Sequence, residues 1–142
     1  MTELLPISLR VAGVGLLFLA ALHIPIGREL RWREDASRLT PANRAVFHVH
    51  ILFICLVIIM MGLPCLIEPE VFLEQSRAGA WLSWSFAGFW AARLYCQFFV
   101  YNSELWRGKR RETVIHWIFT TVWIALAALF TICGCRQSGW LS

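Results

Sequence analysis

The sequence predicts an all-α polytopic membrane protein: a four-transmembrane-helix bundle forming one domain over residues 1–142. Composition is the first reason. Of the 142 residues 58% are hydrophobic and 15% charged, and mean hydropathy is +0.62, whereas soluble domains run at roughly 45–50% apolar and about 25% charged. Segment length is the second. Four apolar stretches, 7–26, 46–67, 80–101 and 113–133, each reach the about 20 residues that a helix needs to cross hydrocarbon. The third is what they leave over: connections too short for a soluble domain, so that any activity must lie in the bundle or its loops.

The first span is expected to be retained. Glu3 partly cancels Arg10, and the Ala20–Ala21 pair is the only approach to a cleavage site, whereas a signal peptide wants a positive n-region and a small-residue site. Pro25 and Gly27 are expected to end it. Residues 28–44 then mix both signs of charge with Leu30, Trp32 and Leu39, and read either as a solvated loop or as a segment on the membrane surface. Thr40 followed by Pro41 predicts the start of the second helix a turn ahead of its apolar run, because a threonine hydroxyl caps a free amide and proline needs no amide bond in the first turn. Its expected end is Gly62–Pro64–Cys65. A connection with Glu68, Pro69, Glu70, Glu74 and Arg77 leads to the third helix, and the third and fourth form a hairpin around the basic turn Trp106–Arg111.

Orientation follows from the basic residues. The first and third loops hold Arg28, Arg31, Arg33, Arg38, Arg44, Arg107, Lys109, Arg110 and Arg111, and the opposite side holds Arg10, Arg77 and Arg136. Lysine and arginine near spans stay in the cytoplasm. The expected location is therefore a bacterial inner membrane, with both termini outside the cytoplasm. Trp32, Trp106 and Trp117 would sit at one interface and Trp81, Trp84 and Trp140 at the other. The net charge of +4 is explained by topology and by attraction to the anionic headgroups of membrane lipids, so no nucleic acid is expected as a partner.

The candidate site lies in the hairpin. Arg93 is a charge inside an apolar run, and at helical spacing it shares a face with Gln97, Tyr101 and Glu104; on the returning helix Glu112, His116, Thr120 and Trp123 make a matching stripe. An ionisable residue at membrane depth faces protein or water, so the stripe should point inward. Arg93 reads either as the ligand of an anionic group, such as a lipid phosphate, a haem propionate or a quinone carbonyl, with Gln97 and Tyr101 completing the site, or as a structural cation paired with Glu104, Glu112 or a backbone carbonyl or reaching to the headgroups. His23, His48, His50 and His116 all fall toward the cytoplasmic side. Imidazoles from three helices at one level are raw material for haem, copper or zinc, and equally for structural hydrogen bonds. Ala87, Gly88, Ala91 and Ala92 form small-xxx-small pairs suited to a close neighbour helix, from a partner or a second copy. Cys65, Cys133 and Cys135 gather at the non-cytoplasmic face, where a disulfide from Cys65 to either of the others is expected to be allowed.

The runs Trp32–Phe47 (WREDASRLTPANRAVF), Gly88–Tyr101 (GFWAARLYCQFFVY) and Trp106–Lys109, with His116, resemble a family of small uncharacterised four-helix bacterial membrane proteins. The resemblance spans most of the chain. It implies the fold and the importance of the Arg93, Gln97, Tyr101 stripe, and brings no assigned activity. A looser similarity, through Asn43–His48, is to the membrane-associated eicosanoid and glutathione metabolism family; Ile51, Leu52 and Phe53 stand where that family has acidic and amide residues.

Three functions are compatible with these residues. The leading one is a non-enzymatic accessory or assembly component of a membrane complex. The second is a histidine-ligated haem or copper protein for electron transfer or sensing. The third is a small membrane enzyme acting on a lipophilic or thiol substrate, with Cys133 and Cys135 involved.

Overall fold

The computed structural model describes residues 4–102, 104 and 106–141, and the described residues are helical with no strand. Three helices are long and apolar enough to cross a membrane: α1 (Leu4–Glu29), α3 (Pro41–Ile67) and α5 (Arg110–Gln137). Between them lie a short α2 (Trp32–Ser37), a 3-10 turn (Pro69–Phe72) and α4 (Arg77–Phe99). At 23 residues α4 is long enough, but its serines, tryptophans, Arg93 and Gln97 dilute its apolarity, so it is not among the spans that length and composition identify. The expectation of four spans is met for three of them on this criterion.

The chain divides into two compact units, Met1–Pro69 and Glu70–Ser142. In the first, α1 and α3 pack antiparallel, with Leu9, Leu16, Leu19, Ile58 and Met61 buried. The two backbones approach closely at their glycines: a Cβ on Gly13 would stand 2.8 Å from the Leu66 nitrogen and 2.9 Å from the Gly62 oxygen, and one on Gly62 would stand 3.1 Å from the Gly13 oxygen. Small residues allow this backbone contact, which substitutes for a hydrophobic drive where the surroundings are as apolar as the side chains.

Two boundaries differ from expectation. Pro25 and Gly27 do not end the first helix, which continues to Glu29. Proline removes only the amide bond to the Ala21 carbonyl, and Leu30 still donates to the Ile26 carbonyl beyond it. Pro64 likewise lies inside α3. The charged 28–44 segment contains α2, reached through Arg31 in the left-handed region (φ 51°). Arg44 of α3 holds the end of α2 by donating to the carbonyls of Ala36 (3.0 Å) and Ser37 (2.8 Å). The Thr40 cap forms as expected, its hydroxyl accepting from the Asn43 amide at 3.4 Å ahead of Pro41.

The second unit is the α4–α5 hairpin. Phe72, Phe86 and Phe130 form an aromatic cluster with centroid spacings of 5.0–5.7 Å. At its far end Gln137 ties the hairpin to the turn, accepting from the Ser76 amide (2.8 Å) and donating to the Val71 carbonyl (2.9 Å). Trp84 lies against Gly134, where a Cβ would come within 2.8 Å of the indole, and donates to the Ser138 hydroxyl.

Candidate functional site

Helical spacing brings the predicted stripe together on the hairpin. Arg93 of α4 is half-buried, Gln97 and His116 are buried, and Tyr101 lies exposed two residues beyond α4. The Arg93 guanidinium donates from Nη1 to Gln97 Oε1 at 3.2 Å, and Gln97 Nε2 lies 2.8 Å from His116 Nδ1. The direction of this relay is forced. A guanidinium has only donors, so the amide must turn its oxygen to Arg93 and its NH2 to the imidazole. His116 Nδ1 therefore accepts, and the neutral ring carries its proton on Nε2.

Aromatic rings surround the relay. The indole of Trp106 stacks on His116 at 3.9 Å and 15°. The guanidinium lies 5.0 Å from the ring of Trp123 and 5.3 Å from that of Tyr101, and each such contact is worth about 0.5–2 kcal/mol. Trp123 stacks in turn on Trp90 at 5.1 Å and 14°. Thr120, one turn beyond His116, is buried and donates to the His116 carbonyl at 2.8 Å. Glu104 and Glu112, expected on the two stripes, are exposed, and among the described residues no carboxylate lies within ion-pair distance of Arg93. The ion-pair reading of the structural arginine is thereby corrected: two rings and one amide hold it.

The other three histidines belong to the first unit. His23 is half-buried on α1, and His48 and His50 are exposed on α3. His23 Nδ1 donates to the Leu19 carbonyl (2.9 Å) and His50 Nδ1 to the Val46 carbonyl (2.8 Å). A carbonyl only accepts, so in the neutral form each ring presents an Nε2 lone pair, the tautomer that ligates metal or haem iron. His48 makes an edge contact with Phe47. Among the described residues no group of three or more His, Cys, Asp or Glu side chains is arranged to hold a metal ion.

Cys133 and Cys135 are free thiols. Cys65 turns its Sγ back to its own helix, 3.1 Å from the Met61 carbonyl.

Two contributors were not identifiable as such from sequence. Trp106 reads as an interfacial tryptophan, yet it covers His116. Gln137 reads as a polar residue past the last span, yet it fastens the hairpin. The nearest sequence signal for Gln137 is the small residue opposite it, Gly79, where a Cβ would strike its amide.

No protein-family model, curated protein or solved structure matches this chain.

Proposed function

We propose that the protein is a non-enzymatic accessory component of a bacterial inner-membrane complex, a member of a family of small four-helix membrane proteins, with α4 as its fourth span and both termini outside the cytoplasm. The observation that favours this role most is how the polar side chains of the hairpin are used. Gln97 and His116 bond each other, and Thr120 and Thr113 bond backbone carbonyls, the pattern of a brace that fixes two helices rather than of a nucleophile poised beside a base. Outside the brace the helices present large apolar side chains such as Phe18, Phe53, Met60 and Ile124, a surface for lipid or for the helices of a partner. In this reading α4 spans because about 1.5 Å per residue gives it roughly 35 Å, and because Ser83 and Gln97, two of its polar residues, are buried.

Tagged in its native membrane and extracted in mild detergent, the protein should migrate on a native gel as an assembly well above its own 16.3 kDa. Migration as a bare monomer at every detergent-to-protein ratio would overturn the accessory role. A second reading, a haem or copper protein, is favoured by one observation: the matching Nδ1-bonded tautomers of His23 and His50. If it holds, gently extracted protein shows a Soret band or near-stoichiometric copper that a His23→Ala/His50→Ala variant loses.

A further inference from the structure

Arg93 and the tryptophan stack beside it carry N–H donors that find no acceptor among the described residues. Of the five N–H donors of a guanidinium, one on Arg93 is used, toward Gln97. The Gln97 oxygen is engaged by that bond and His116 Nδ1 by the Gln97 amide. The indole N–H groups of Trp90 and Trp123 are buried with no acceptor among the described residues, and Trp123 is one of the two rings against the guanidinium. No carboxylate lies within ion-pair distance among the described residues.

Depth narrows the missing acceptor. Gln97 meets His116, six residues into α5, which at 1.5 Å per residue is about 9 Å from that helix's first residue. The cation, which also touches Trp123 thirteen residues into α5, thus lies in the half of α5 that follows the basic turn with its exposed Arg107, Lys109 and Arg110. A lone charge at that depth is costly, and rings compensate it only in part. Planar guanidinium donors match the oxygens of a phosphate, and basic side chains at a membrane surface raise the local concentration of anionic lipid.

We propose that Arg93 is a binding site for the phosphate of an anionic phospholipid, entering from the leaflet next to the basic turn, with Tyr101 at its outer edge and the Gln97–His116 pair fixing the guanidinium. The site goes beyond the accessory role and stands or falls independently of it.

The test uses the full chain in nanodiscs of phosphatidylcholine doped with phosphatidylglycerol, with bound lipids counted by native mass spectrometry after partial delipidation. Wild type should retain phosphatidylglycerol over phosphatidylcholine, and Arg93→Gln should weaken that retention at least about tenfold, as loss of a charge-assisted bond implies. Arg93→Lys keeps the charge and should retain an intermediate preference, and it reports on the site if Arg93→Gln fails to fold by circular dichroism. An unchanged preference in Arg93→Lys and Arg93→Gln, or an equal loss in Lys109→Gln/Arg110→Gln with Arg93 intact, would overturn the proposal. So would wild-type protein in pure phosphatidylcholine binding inorganic phosphate at Arg93 as tightly as the lipid, because the source would then be a soluble anion.

Discussion

At the scale of single residues, the relay from Arg93 through Gln97 to His116 depends on one amide that must be donor on one side and acceptor on the other. The sequence makes Arg93, Gln97 and Tyr101 visible as one stripe, because residues at i, i+4 and i+8 share a helix face. It also makes His116, Thr120 and Trp123 visible as another. That Gln97 meets His116 is not visible, since it depends on the register of α4 against α5, which is set by packing such as Trp84 against Gly134. Leucine at position 97 fills the space and serves neither neighbour. Each polar group then left buried without a partner costs about 1–3 kcal/mol. Gln97→Leu should therefore lower the thermal unfolding midpoint in detergent, whereas Tyr95→Phe, at an exposed position, should change stability by no more than about 0.5 kcal/mol. Equal midpoints for the two variants would mean that the relay contributes nothing to the hairpin.

At the scale of elements, packing rather than propensity decides where helices continue and how closely they cross. Proline and glycine at positions 25 and 27 are stop signals in isolation, yet α1 continues to Glu29. In the structure Gly27 faces the ring of Trp32, 2.9 Å from where a Cβ would stand, so the glycine answers to the tryptophan packed on it. Of the small residues at 87–92, Gly88 has nothing within 4 Å of its Cβ position among the described residues of this chain, while Gly13 is pressed on the backbone of α3. Two alanine substitutions separate these environments. In Gly13→Ala the new methyl meets the Leu66 amide nitrogen and the Gly62 carbonyl, which cannot rotate away, and overpacking of this kind costs about 1–3 kcal/mol. Gly88→Ala places its methyl in open space and should be neutral or stabilising by up to about 1 kcal/mol, since alanine is the better helix former. Unfolding titrations of both variants in one detergent check the order; Gly13→Ala as stable as wild type would show that the α1–α3 crossing is looser than the structure has it.

At the scale of the whole molecule, membrane class was legible in bulk composition, because three helices carry enough apolar length to be recognised alone. The stretch 80–101 reads as a fourth from its length, yet α4 is not among the helices that length and composition together identify. A helix whose polar side is covered by a neighbour can carry serine, glutamine and arginine across hydrocarbon, and average apolarity then understates it. The proposed topology gives this a sharp consequence: if α4 crosses, the Arg28–Arg44 segment and the basic turn share one side, and the 3-10 turn shares the other with both termini. If α4 lies along the surface instead, the basic turn and the 3-10 turn share a side. Single cysteines at Arg38, Glu70 and Arg107, all exposed, in a chain whose five native cysteines are replaced by serine or alanine, distinguish the cases by labelling intact cells with an impermeant maleimide. Labelling at position 70 alone is expected, with positions 38 and 107 reacting only after the membrane is permeabilised. Labelling at both 70 and 107 in intact cells would remove α4 from the spans, and with it the cytoplasmic placement of the basic turn.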